Sequence, residues 1–130
     1  MSSFIIKQDF WALFPDAEIA VVIANGIDNS EEYLGDTYEE IKEQMQEAFE
    51  DAKDFLTAEV FSENKIIKVW REAYSKFKTK KGARCSVEAL LKRVEKGNMI
   101  GSINPLVDIY NTVSLMYGLP CGGEDIAAFE

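Results

Sequence analysis

The segment running from Asn104 to Pro120 constrains this chain more than any other stretch. Asn104-Pro105 is a helix start, with a side-chain acceptor at the cap position and a proline at the first helical position. Gly118 followed by Pro120 is the matching stop. Between them Leu106, Val107, Ile109, Tyr110, Val113, Leu115 and Met116 cover most of the helix circumference. A helix that is apolar on most sides is expected to be buried. Yet Asn104, Asp108 and Asn111 recur at i, i+4 and i+7 and therefore project from one face. A buried amide or carboxylate left unpaired costs about 1–3 kcal/mol or more. That stripe must either find partners inside the fold or line a pocket.

The 130 residues suffice for one domain with a real core, and a hydrophobic fraction of 47% argues against disorder. No apolar run approaches the ~20 residues of a membrane span. The N-terminal MSSFIIKQDFW carries Lys7 and Asp9 within its apolar stretch and lacks a small-residue cleavage site, so it does not read as a signal peptide. Cys85 and Cys121 lie far apart, which suits free thiols in a cytoplasmic protein. Histidine is absent. That removes the Ser–His–Asp triad, the Cys–His pair, the HExxH site and any imidazole base from this chain's own residues.

The net charge of −9 hides a division along the chain. Residues 28–63 hold 13 acidic and 2 basic side chains, whereas residues 64–100 hold 11 basic and 3 acidic ones. A pI near 4.6 argues against indiscriminate nucleic-acid binding but leaves room for a local basic surface. The basic set comprises Lys76, Lys78, Lys80, Lys81 and Arg84, followed by Lys92, Arg93 and Lys96.

Ile19–Ala24 is an unbroken apolar, partly β-branched run ending at the turn pair Asn25-Gly26, and predicts a buried strand. Phe4–Phe14 begins with strand-like composition. Thr37 and Glu40 have capping-box spacing ahead of Tyr38, Ile41, Met45, Phe49, Ala52 and Leu56, which predict a long amphipathic helix. Its carboxylates read as a solvated face. Residues 64–77 predict a second helix, and Ser86 caps a third that Gly97 ends. Strands followed by helices indicate an α+β fold.

The order WREAYSKF, basic loop, RCSVEALLKRVEKG, INPLVDIYN and LPCGGED resembles the B3/B4 domain. That domain edits mischarged tRNA in the β subunit of phenylalanyl-tRNA synthetase, and the likeness is greatest to free-standing B3/B4-domain proteins. It covers residues 60–130, while residues 1–59 agree only in general layout. The resemblance implies a single domain over residues 1–130, a B3/B4-like layered sheet with packed helices. Family domains continue into further strands, so the chain is expected to be the N-terminal part of a longer domain, truncated at its C-terminal strands. The partner implied is tRNA or aminoacyl-tRNA, with no DNA, membrane, metal or cofactor.

Carried onto this sequence, the resemblance places Asn111 beside the pocket for the aminoacyl end, with Asn104 and Asp108 at matching positions. Bacterial-type synthetases have a histidine where this chain has Gly122. Ester hydrolysis needs an oriented water and a stabilised oxyanion. Asn111 and Glu124 are the candidate catalytic residues, and the backbone N–H groups of Gly122 and Gly123 are candidate donors. Asn104, Asp108, Gly122 and Gly123 are candidate substrate contacts, and Lys78, Lys80, Lys81 and Arg84 the candidate RNA surface. The alternative for Asn104 is a helix cap, for Asp108 a cap on loop amides, and for the glycines a tight turn. Cys121 and Ser86 have no base to activate them. The function expected is therefore an RNA-binding domain acting in trans on aminoacyl-tRNA, by hydrolytic editing. The alternative is a non-catalytic module for tRNA or an amino-acid-like small molecule.

Overall fold

A computed structural model describes residues 3–129, in two compact units. One holds the chain up to Ile27 together with the segment from Glu124 onward, and the other is Asp28–Gly123. In the first, the aromatic-rich sequence before Pro15 forms a short helix, α1 (Gln8–Leu13). The rings of Trp11 and Phe14 lie 5.3 and 5.2 Å from that of Phe10. Helix thus forms only over Gln8–Leu13, while the opening Phe4–Lys7, whose composition suggested a strand, forms neither strand nor helix.

The second unit contains α2 (Glu31–Leu34), α3 (Asp36–Asp51), α4 (Lys65–Ser75), α5 (Ser86–Glu95) and α6 (Pro105–Tyr117). Short 3-10 turns at Ala52–Phe55 and Phe61–Glu63 join α3 to α4. The helical periodicity read from the sequence sets the packing. Helix α3 buries Tyr38, Met45, Ala48 and Phe49, and α5 buries Val87, Leu91 and Val94 around Leu115 of α6. The α3–α6 pair forms the most extensive contact between elements.

The expected layered α+β sheet is not formed: among the described residues there is no strand. Ile19–Ala24 lies outside any ladder, and Val22 is 91% exposed. An apolar run becomes a buried strand only when a second extended segment accepts its backbone hydrogen bonds. No described segment does so, and the core is closed by the helices together with connecting residues such as Cys85 and Ile100.

Helix α6 departs from expectation in a related way. One face is buried through Pro105, Asp108, Thr112, Ser114 and Leu115, while Leu106, Ile109, Val113 and Met116 remain 38–52% exposed. No sheet layer exists among the described residues to cover that apolar side. Two helix starts also differ from the sequence reading. Gly35, not Thr37, precedes α3, and its carbonyl accepts the Tyr38 N–H at 3.0 Å, so Thr37 lies inside the helix instead of at its cap. Cys85 rather than Ser86 occupies the N-cap of α5.

The C-terminus of α6 follows its sequence signals closely. Gly118 adopts a left-handed conformation at φ +64°, and its N–H returns to the Ser114 carbonyl at 2.9 Å. Its carbonyl accepts the indole N–H of Trp70 at 2.8 Å, and a Cβ at this position would lie 2.7 Å from Cδ1 of Ile66. Glycine is thus required by conformation and by the approach of α4. Gly118→Ala is expected to lower the free energy of unfolding by about 2 kcal/mol, from the positive φ and the overpacking together. Urea unfolding followed by circular dichroism measures this, and undiminished stability would remove the packing argument.

Candidate functional site

The polar stripe of α6 is built at its N-terminal end by two asparagines from distant parts of the chain. The Asn104 side-chain oxygen accepts the Val107 N–H at 2.9 Å, as its cap position predicts. Asn29 supplies the other half: its oxygen accepts the Leu106 N–H at 2.8 Å while its amide donates to the Asn104 oxygen at 3.1 Å. With Pro105 lacking a donor, the Leu106 and Val107 amides that the helix itself cannot satisfy are both engaged. Sequence reasoning missed Asn29 because nothing local marks a partner 75 residues away.

Asp108 is fully buried and accepts three hydrogen bonds. The Tyr38 hydroxyl donates to Oδ2 at 2.7 Å, the Ser102 hydroxyl to the same oxygen at 2.5 Å, and the Ile103 N–H to Oδ1 at 2.9 Å. One carboxylate therefore ties α3, the loop before α6 and α6 itself. Burial raises the Tyr38 phenol above its ordinary value; the Ser102 bond opposes this and the Asp108 bond and charge add to it. The phenol keeps its proton and stays a donor. Every lone pair drawn on here serves the fold.

Asn111, one turn further on, is half-buried and its side chain makes no hydrogen bond to a described residue. Beyond the helix, a Cβ on Gly123 would meet Tyr110 Cε1 at 3.3 Å and Leu106 Cδ2 at 3.8 Å, whereas Gly122 faces open space. Glu124 is exposed and belongs to the other compact unit.

The α4–α5 connection carries the basic residues. Lys78, Lys80 and Lys81 are exposed and form no ion pair with a described residue. Lys92 and Arg93 are committed elsewhere: Lys92 bonds Glu95 at 2.5 Å and lies over the Phe61 ring, and Arg93 donates to the Met99 carbonyl at 2.6 Å. Phe77 is 40% exposed and lies against the Tyr74 ring. At the base of the loop, Arg84 stands 3.7 Å from Glu88, which also takes Arg71 edge-on through Nε and Nη2 at 3.2 and 2.7 Å. The Arg84–Glu88 spacing of i, i+4 was a legible signal; the pairing with Arg71 needed the packing of α4 on α5.

Residues 69–130 match the family model of the B3/4 domain. Over those residues, just under half of the chain, the protein is similar to that family. The B3/4 family is associated with tRNA synthetases and with tRNA binding. No curated protein and no solved structure matches the chain. The B3/4 match includes the basic connection, all of α6 and the glycine pair, but not Asn29 or Tyr38. The partners that satisfy the B3/4 residues Asn104 and Asp108 thus come in part from outside the matched segment. No helix among the described residues is long and apolar enough to cross a membrane.

Two predictions follow from this geometry. Asp108→Ala removes the shared acceptor of Tyr38, Ser102 and Ile103, leaving the two hydroxyls only each other and the Ile103 amide unpaired, and is expected to cost about 3 kcal/mol or more, against about 1 kcal/mol for Tyr38→Phe. Chemical denaturation of the two variants compares them, and equal small losses would contradict the shared-acceptor arrangement. Burial also raises the thiol pKa of Cys85 and of Cys121. At neutral pH both hold less thiolate than a free cysteine, so alkylation should be slow and still accelerating above the usual thiol pKa of about 8.5. A native Cys121 that reacts faster than free cysteine at pH 7 would reverse that sign.

Proposed function

We propose that this chain is an RNA-binding domain whose partner is tRNA or aminoacyl-tRNA, held through the α4–α5 connection. The observation that carries the reading is the division among its cations. Lys92 and Arg93 are bound within the fold, while Lys78, Lys80 and Lys81 stand exposed without an ion pair to any described residue, next to Arg84. Such side chains meet phosphates at little cost in competing interactions, and their binding weakens with salt. The B3/4 family association supports tRNA as the polyanion. The acidic residues of α3 oppose binding elsewhere on the surface and restrict it to this region.

A second reading adds hydrolytic editing of mischarged tRNA. It is favoured by Asn111, whose side-chain amide makes no hydrogen bond to a described residue, and by the Gly122–Gly123 N–H groups as oxyanion donors. In that reading Asn104 and Asp108 shape the substrate site chiefly by fixing the start of α6, and Glu124 is the second candidate catalytic residue.

Filter binding of tRNA over a salt series tests the first reading. Replacing Lys78, Lys80 and Lys81 with glutamine should weaken binding and lower the slope of log affinity against log salt by about 2, at about 0.7 per lost phosphate contact. Unchanged binding would place the RNA elsewhere. Deacylation of mischarged tRNA, beginning with tyrosyl-tRNA(Phe), tests the second. Loss of turnover in Asn111→Ala and in Glu124→Gln, with tRNA binding retained, is the expected result; no turnover by the folded wild-type chain leaves the binding reading alone.

A further inference from the structure

Glu88 is one of only three acidic side chains among residues 64–100, and it is buried, at 7% exposure. A buried carboxylate needs compensation. Arg71 provides it edge-on through Nε and Nη2. That geometry uses two of the five guanidinium N–H groups and leaves three unspent. Arg84, whose Nη1 donates to the Ala83 carbonyl at 2.9 Å, brings its Nε to 3.7 Å from the same Glu88 oxygen. The two arginine side chains remain 37% and 48% exposed, against 9% for the Glu88 side chain. The cluster therefore carries two positive charges on the outside and one negative charge underneath. Arginines fixed in this way have already lost rotamer freedom and present planar forks suited to a tetrahedral oxyanion.

We infer that Glu88 is a positioning residue that holds Arg71 and Arg84 as a paired guanidinium site for a phosphate group of the RNA backbone. This rests on the tRNA-binding reading above and deepens it. The exposed lysines supply diffuse attraction, and the arginine pair fixes where one phosphate sits. Arg71 lies outside the basic loop and was not in the sequence-derived RNA set. Its place depends on α4 packing beside α5.

The deciding variant is Glu88→Gln, because two explanations predict opposite signs. If Glu88 is merely a negative charge on a polyanion-binding face, its removal strengthens binding. If it positions the arginines, removal weakens tRNA binding, by about tenfold for the loss of one ordered charge-assisted contact. The full chain is measured by filter binding over a salt series, with melting curves to show that each variant is folded. Arg84→Gln should weaken binding and lower the salt slope by about 0.7. Arg71→Lys keeps the charge and loses the fork, so weaker binding at native stability supports the site and unchanged binding overturns it. That variant also decides the matter should Glu88→Gln fail to fold. A folded Glu88→Gln chain that binds tRNA as tightly as wild type, or more tightly, overturns the inference.

Should the wild-type chain not bind tRNA, the tRNA reading itself fails. Inorganic phosphate titrated against the arginine Nε–H resonances then judges the site on its own. Shifts at Arg71 and Arg84 in the wild type that vanish in the folded Glu88→Gln or Arg71→Lys variant support it. No shift in the wild type overturns it.

Discussion

The three hydrogen bonds accepted by Asp108 are the constraint on which the helical unit depends. A carboxylate with no exposure sits in the contact between α3 and α6 and is satisfied by one donor from α3 and two from the loop before α6. Apolar burial alone is indifferent to small rotations of one helix on another, whereas a buried carboxylate is not. Once Tyr38, Ser102 and Ile103 must all reach Asp108, the register of α6 against α3 is fixed. The paired Asn29 and Asn104 then close the helix end, and Trp70 on the Gly118 carbonyl fixes the other.

The charges of the helical unit fall in two regions. The carboxylates of α3 are exposed on the side away from the core, while the cations gather on the α4–α5 connection. Charges of one sign on adjacent loop residues repel, and the fold tolerates them where they are solvated. The same connection is anchored at its base by Glu88, which joins α4 to α5 through Arg71. A mobile charge cluster would give weak, salt-sensitive attraction, whereas one anchored by a buried carboxylate also has direction. That difference separates a merely basic loop from a surface able to orient a phosphate.

The apolar side of α6 and the exposed Ile19–Ala24 run show where sequence reading failed. Both are apolar enough to predict burial, and in both the prediction required a second layer. Periodicity reports what a segment is able to bury, not whether a partner is there to bury it. The resemblance to the B3/B4 domain agrees with the family match over residues 69–130 but carried a sheet with it that the described residues do not form.

The sequence by itself determined the helices from α3 to α6, to within a few residues, and the caps at Asn104 and Gly118, because these depend on neighbours within one or two turns. It also determined the charge division and the absence of imidazole chemistry, which are properties of composition. Only the tertiary structure decided what the polar stripe is for. Asn104 and Asp108 proved to be joined to Asn29 and Tyr38, 75 and 70 residues away, while the Asn111 side chain bonds no described residue. The spacing i, i+4, i+7 puts three polar groups on one face; it cannot say which of them meets a donor, since that donor is delivered by the packing of another helix. The pairing of Arg71 with Glu88 has the same origin, a contact between α4 and α5 that no local pattern records.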